Sequence, residues 1–483
     1  MSDSATLTIS LISHTNVGKT TLARTLLRRD VGETLDRPHV TDLSEAHVMV
    51  ATQGRRLLLW DTPGFGDTAR LLKRVKQSDQ PVRWMLTQLW DRYANRPLWC
   101  SQQAVKNVKE EADVVLYLAD ASQEPRETSF VALEMELLSW VGKPVLMLLN
   151  QTGAPRTPQE EEAQENRWRE ELGRFPVVKG VVGLDAFARC WVQEGELLDA
   201  VAPLVPVEKK ETFRLLRDAW RDKNLTVHRE AVDVLSRMLA ESMVDAVHVS
   251  GESWLQKMGL NRAEINTELK EARKNLAERL SKRTVEATNE LIKLFGLEGQ
   301  SLQRAGALAR SHFGDQQKVN EPLWTAIGGL AAGLTTGLVA DILAHGMTFF
   351  GGAVLGAIGG GTSAFMLAKT YNLVRGKTNY EVRWSFAHYF EQVQLAMLCY
   401  LAVAHFGRGR GEWEESEHPA HWREVVRDAT GPEKERLERL WKEAGDSKSE
   451  KTREQLTEDL RSVVTACCAK ILRELYPKVE VFA

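Results

Sequence analysis

The residues best equipped for chemistry stand near the start of the chain. Ser13-His14-Thr15-Asn16-Val17-Gly18-Lys19-Thr20-Thr21-Leu22 follows a short β-rich run, Leu7–Ile12, and opens a helical stretch, Thr20–Arg29. A strand-to-helix loop that ends in Gly-Lys-Thr is built to hold phosphate groups. Backbone N–H groups of the loop and of the helix N-terminus point at the anion. Lys19 would reach the β- and γ-phosphates of a nucleotide, and the Thr20 hydroxyl would bind Mg2+. Asn16, Val17, Gly18, Lys19, Thr20 and Thr21 are therefore the candidate cradle. Ser13 occupies the place of the first glycine in the strict GxxxxGK[ST] pattern, so the match is incomplete.

A second run supports the first. Asp61-Thr62-Pro63-Gly64 comes just after the apolar run Leu57–Trp60. An acidic side chain there can hold Mg2+ through water, and the Gly64 N–H can sense a γ-phosphate. Between the two motifs, Val48–Ala51 and Leu57–Trp60 flank Gln53-Gly54, which predicts a β-hairpin.

Together, NVGKTTL and DTPG resemble the Era and TrmE branch of translation-factor-related GTPases, over roughly the first 200 residues. The chain looks like the bacterial group of Era-like GTPases with an uncharacterised C-terminal helical domain. The resemblance implies GTP and GDP as ligands, Mg2+ as cofactor and GTP hydrolysis. It also implies a switch I threonine on Mg2+: Thr41, with Thr34 as the alternative, although either could equally be a capping or turn residue. Lys19, Thr41 and Gly64 would then be the catalytic set, and Thr20, Thr41 and Asp61 the Mg2+ set.

Phe65 follows DTPG, where Ras-like enzymes carry a water-positioning glutamine. A phenyl ring cannot hydrogen-bond water, so intrinsic hydrolysis should be slow and should depend on another residue, an ion or a partner. An asparagine at the place of Asn16 is associated in the family with K+, which would stabilise transition-state charge. The alternative is that Asn16 only fastens switch I. The base-reading motif is degenerate. Asn150-Gln151-Thr152-Gly153 stands where the family has [NT]KxD, so the guanine-reading carboxylate is missing. Asn150 can still meet the base edge, and Asp185, in Leu184-Asp185-Ala186, could supply the carboxylate beside Ala186. Adenine binding or weak base selectivity stays open.

The surrounding elements fit such a site. Val114–Leu118 and Val145–Leu149 are continuous apolar runs, as expected of strands buried on both faces of a parallel sheet, and Val177–Val182 may be read as one more. Alternation of strands and helices predicts an α/β P-loop G domain over residues 1–205, with helical insertions at about 69–111. Pro203 and Pro206 mark its end. Beyond them strand signals nearly vanish, which predicts an all-α C-terminal region. Asn261 and Glu264 form a capping box ahead of Ile265, Leu269, Ala272, Leu276 and Leu280 at helical spacing. Leu456, Leu460, Val464, Cys467 and Ile471 make a similar stripe. The helical region divides into residues 206–320, a glycine-rich apolar hairpin at 321–370, and residues 371–483.

The hairpin is the one feature outside an ordinary globular pattern. Between Pro322 and Ala368, Gly329, Gly333 and Gly337 recur every four residues, as do Gly352, Gly356 and Gly360. Such ridges let two helices approach closely. Lysines and aromatic residues flank the pair on one side, as in a membrane hairpin with both ends in the cytoplasm; the competing reading is a hairpin buried in the helical domain.

Composition excludes several classes. The net charge of −3 and the lack of a basic tail leave no strong nucleic-acid signal. Five scattered cysteines without a CxxC argue against a disulfide or zinc framework. No basic and apolar leader opens the chain, so the G domain is expected in the cytoplasm, with inner-membrane association through residues 322–368. The leading reading is a GTP-hydrolysing switch with an unknown protein effector or activator and a nucleotide-dependent dimer as a further expectation. Ribosome assembly, and nucleotide-controlled membrane remodelling or pore formation, are the alternatives.

Overall fold

A computed structural model describes residues 5–28, 44–66, 68–76, 96–150, 158–184, 190–250, 262–296, 371–375, 379–405, 421–445 and 452–479. The chain divides into two compact units. One comprises Met1–Thr226 with His405–Pro419 and Tyr476–Ala483; the other comprises Val227–Ala404 and Ala420–Leu475. The division at Thr226 falls inside a helix, later in the chain than the proline pair at 203 and 206.

The first unit is an α/β layer structure. Its strands are β1 (Thr6–Ser13), β2 (Glu45–Thr52), β3 (Arg55–Asp61), β4 (Val114–Asp120), β5 (Val145–Asn150) and β6 (Val178–Gly183). They form one sheet in the order β2-β3-β1-β4-β5-β6. Only the β2–β3 pair is antiparallel. Its connection is the expected tight hairpin, with Gln53 at φ 48° and Gly54 at φ 75°. Positive φ at both central residues is the type I′ geometry that matches strand twist.

Helices α1 (Lys19–Leu27), α2 (Thr68–Val75), α3 (Arg96–Glu110), α4 (Ser129–Val141), α5 (Pro158–Leu172) and α6 (Trp191–Val201) connect the strands. α2 and α3 stand within the stretch read as helical insertions. Val114 to Ala119 and Val145 to Leu149 are buried, which explains their unbroken apolar sequence. Ile12, Phe65, Leu71, Val108, Tyr117, Met135, Leu138 and Met147 belong to one core between the sheet and α2, α3 and α4. Burying each large apolar side chain is worth about 1.5–3 kcal/mol.

This topology creates the site. β1 lies between β3 and β4, so the chain leaves β1, builds on one side of it and then crosses to the other. In such a sheet the crevice at the strand carboxyl ends, where the order reverses, is open to ligands. The loop after β1, the residues after β3 and the end of β5 all converge there.

α7 (Lys210–Val244) continues from the first unit into the second. The second unit then contains β7 (Ala246–Ser250), α8 (Arg262–Leu294), β8 (Tyr371–Arg375), β9 (Asn379–Trp384), α9 (Phe386–Ala404), α10 (His421–Thr430), α11 (Lys434–Ala444) and α12 (Arg453–Leu475). The region is helical as expected, but not all-α. β7, β9 and β8 form an antiparallel sheet. These strands are short, and β7 lies far before β8 and β9 in the sequence. Ala272, Leu276 and Leu280 of α8 pack on Val382 and Trp384 of β9, with Val247 of β7 against them. That pairing carries no local signal, which is why the helical reading missed it.

The α12 stripe Leu456, Leu460, Val464, Cys467 and Ile471 is buried as its spacing predicts. The Arg383 guanidinium is buried too: it donates to the carbonyls of Met243 at 3.2 Å and Trp441 at 3.1 Å and lies over the Trp441 ring at 4.4 Å.

Several expectations fall outside the described residues: Thr34, Thr41, Gln151–Gly153, Asp185, Ala186, the Asn261 cap and the whole segment 321–370. Among the described residues no helix is long and apolar enough to cross a membrane.

Candidate functional site

β1 ends at Ser13 and α1 begins at Lys19, so the loop between them turns sharply. Asn16 at φ 63° and Gly18 at φ 87° make that turn in the left-handed region. Gly18 adopts it without steric cost, and asparagine is among the few side chains that tolerate it. Gly18 is also the N-cap of α1, with no side chain bonded over the helix end. The first N–H groups of α1 have no partner within the helix itself.

Lys19 is almost completely buried and donates to Ser13 Oγ at 3.1 Å. The serine that breaks the glycine pattern therefore positions the lysine. Burial lowers the Lys19 pKa, and the carboxylates of Asp61 and Glu134 oppose the shift. Thr20 Oγ1 donates to Asp61 Oδ2 at 2.6 Å. Burial raises the Asp61 pKa, against the pull of Lys19 and the Thr20 hydrogen bond. In both groups desolvation outweighs attraction, as in a cradle that lacks its own full complement of counter-charge.

The Asp61 carboxylate has one further feature. Oδ1 is buried and has no hydrogen-bond partner among the described residues. An orphaned carboxylate oxygen next to a hydroxyl is a hard-oxygen donor set, and it suits Mg2+. Thr20 and Asp61 could therefore hold the ion that the motifs imply.

β3 runs parallel to β1 with Leu11 opposite Asp61, which brings the two motifs together. The contact continues past the strands. Phe65 N–H donates to the Ser13 carbonyl at 2.9 Å, and His14 bridges to Phe65. Gly64 packs so tightly that an added Cβ would lie 3.1 Å from Thr15 Cα and 3.2 Å from Thr15 N. Phe65 is fully buried in the core, so its ring faces away from the loop.

Asn150 ends β5 opposite Asp120. It is fully buried, and its Nδ2 donates to the Val17 carbonyl at 2.7 Å. The side chain thus fastens the phosphate loop. Thr21 is buried on α1, beyond the turn itself.

Sequence reasoning missed a cluster beneath the loop. Glu134 of α4 is fully buried. Its Oε1 lies 2.7 Å from His14 Nδ1 and accepts from Thr68 Oγ1 at 3.1 Å, while Oε2 accepts from the Tyr117 hydroxyl. The Tyr117 pKa stands well above its ordinary value, first through burial and then through the Glu134 charge, so the phenol is a donor. His14 also packs its ring on Phe130 at 4.4 Å. One signal was legible in principle: Glu134 stands on the α4 face of Val131 and Leu138, where an apolar residue is expected.

Comparison with known proteins divides the chain earlier than the two units do, before β6 rather than at Thr226. Residues 8–151 match the model of the 50S ribosome-binding GTPase family. That match makes this part of the chain a P-loop GTPase domain, and so an enzyme domain of GTP hydrolysis. Residues 169–468 match the model of a domain of unknown function, DUF3482. No curated protein matches the chain.

Solved structures resemble the G domain only distantly. Era in complex with MgGDPNP and nucleotides 1506–1542 of 16S ribosomal RNA shares 17% identity at TM-score 0.31, over 42% of this chain and 57% of that one. An Era variant from Aquifex aeolicus bound to GDP·AlF4− shares 17% at TM-score 0.29, over the same 42% and 57%. NFeoB from S. thermophilus bound to GDP·AlF4− and K+ shares 16% at TM-score 0.24, over 43% of this chain and 77% of that one. The chain thus spans little more than half the length of the Era structures. The GTPase assignment rests on the family match. Because the second match spans most of the chain, this protein belongs to the family defined by the DUF3482 domain of unknown function, joined to an N-terminal GTPase domain.

Proposed function

We propose that this protein is a GTP-dependent molecular switch whose G domain binds GTP with Mg2+, hydrolyses it slowly and signals through the DUF3482 region. The observation that carries the reading is the set Lys19, Thr20 and Asp61, in which Lys19 and Asp61 are buried and Asp61 Oδ1 has no partner among the described residues. A nucleotide polyphosphate would offer Lys19 the anion it lacks. Asp61 and Thr20 would hold Mg2+, which neutralises charge that builds on the phosphates during transfer. Gly64 N–H would bond the γ-phosphate only while it is present, which distinguishes the GTP state from the GDP state. Thr41 is proposed as the switch I ligand to the same ion.

Phe65, buried in the core, offers hydrolysis nothing. The missing stabilisation is assigned to K+ near Asn16 or to a protein activator. Guanine preference is proposed to rest on Asn150, Asp185 and Ala186 and to be smaller than with an intact [NT]KxD motif. Membrane association through residues 322–368, a nucleotide-dependent dimer and a cytoplasmic G domain remain proposals that rest on sequence.

Titration calorimetry with GTP, GDP and ATP, each with and without Mg2+, tests the core of the reading. Mg2+-dependent GTP binding that exceeds ATP binding is expected. No binding of any nucleotide would overturn it. Asp185→Ala should narrow the gap between GTP and ATP. Sedimentation of the full chain with ribosomes, and separately with inner-membrane vesicles, identifies where the second region acts.

A further inference from the structure

The Glu134 cluster joins the two segments that would meet the γ-phosphate. His14 belongs to the phosphate loop. Thr68 is the first residue of α2, three residues beyond Phe65 and four beyond Gly64. Both bond the same carboxylate oxygen, Glu134 Oε1. A carboxylate oxygen only accepts, so His14 donates through Nδ1 and Thr68 donates through its hydroxyl. Tyr117, on β4 beneath, holds the other oxygen. Glu134 is thereby held from below through one oxygen and presents the other to His14 and Thr68.

We propose that Glu134 is a positioning residue for GTP hydrolysis, which ties the start of α2 to the phosphate loop and so sets where Gly64 stands. The inference rests on the GTPase reading and deepens it.

Three observations support it. First, Glu134 is fully buried and both of its carboxylate oxygens accept hydrogen bonds, so its polar group is not stranded. Second, the arrangement is rigid on one side, through Tyr117 and the Phe130–His14 ring contact. A fixed anchor makes a change at Thr68 informative. Third, the backbone supplies a parallel tie, Phe65 N–H to the Ser13 carbonyl. The two ties, at Phe65 and at Thr68, stand on either side of Gly66. Gly66 itself has no room for a side chain, since an added Cβ would lie 2.6 Å from Pro97 Cβ and 2.9 Å from its carbonyl oxygen.

The decisive variant is Thr68→Val, which removes one hydroxyl and keeps the shape. Steady-state phosphate release and GDP calorimetry on the full chain are the readouts. The expected result is a kcat lower by about tenfold, because loss of positioning near reacting groups costs one to two orders of magnitude. KM for GTP and affinity for GDP should stay within about twofold of the parent. Amide hydrogen exchange over residues 68–76 should quicken in the GTP-analogue state. In a Glu134→Gln background, adding Thr68→Val should cost less than about twofold more, since the two act as one unit.

A parallel loss of kcat and nucleotide affinity, or multiplicative effects in the double variant, would show a purely structural role and overturn the inference. So would a Thr68→Val enzyme with unchanged kcat. If Glu134→Gln does not fold, Thr68→Val alone decides. Absence of GTP binding by the parent chain would instead overturn the GTPase-switch reading, and this inference with it.

Discussion

The hydroxyl of Thr20 donates to Oδ2 of Asp61 across 2.6 Å, although the two residues stand 41 positions apart. The bond closes the ring formed by the loop after β1 and the end of β3. It leaves Asp61 Oδ1 buried and without a partner. A carboxylate in that condition costs stability until something supplies positive charge.

Substitution of Lys19 should separate binding from folding. Lys19→Ala removes the buried cation beside Ser13 and should weaken GTP and GDP by about 30- to 140-fold, as a lost charge-assisted contact of about 2–3 kcal/mol implies. Thr20→Ala should leave Mg2+-free binding nearly unchanged and abolish the gain that Mg2+ brings. Calorimetry with and without Mg2+ checks both. Equal GTP affinity in Lys19→Ala and parent would sink the phosphate-loop assignment.

Gly64→Ala should uncouple the γ-phosphate from the switch. Its Cβ would press on the Thr15 backbone at 3.1–3.2 Å, and backbone does not yield as a flexible side chain does. Hydrolysis should fall by about 100-fold, the usual cost of a displaced backbone donor. GDP affinity should change by less than about threefold. Single-turnover hydrolysis and GDP calorimetry give the two numbers.

Potassium should accelerate hydrolysis more than sodium at matched ionic strength. The motive is Asn16, exposed at the left-handed turn of the loop, together with a Phe65 that faces the core. Phosphate release in KCl and NaCl measures it, and Asn16→Ala should abolish the difference. Equal rates in both salts would point to a protein activator.

The second unit should lose stability as pH falls from 6.5 toward 4. His228 is buried on α7 beside the Tyr400 hydroxyl at 2.8 Å, and burial pushes its pKa down to about 4 from 6.5. Below pH 6.5 the unfolded chain takes up a proton that the folded chain refuses. Unfolding then binds protons, and stability rises with pH across this window. The full span is worth roughly 3 kcal/mol, fully lost near pH 4. Hydrogen exchange in α7 and α9 between pH 7 and pH 4.5 should show the loss, and His228→Gln should flatten it. A pH profile identical in parent and variant would mean that other groups govern acid stability.

The phosphate loop, the DTPG segment, the hairpin at Gln53-Gly54 and the buried strands were all legible in the amino-acid sequence. Each is a local pattern: a glycine and lysine at set spacing, a turn pair with positive φ, or an unbroken apolar run. The α12 stripe was legible for the same reason, since helical periodicity lies within one element. Tertiary structure alone decided three things. The role of Asn150 on Val17 depends on strands brought together from distant parts of the chain, and that of Ser13 on Lys19 on how the loop turns back on itself. The sheet β7-β9-β8 pairs β9 with the distant β7, and both pack on the apolar face of α8. The Glu134 cluster draws on the phosphate loop, α2, β4 and α4. A buried carboxylate is tolerable only where several donors converge on it, and convergence from four elements has no spacing that a linear sequence can display.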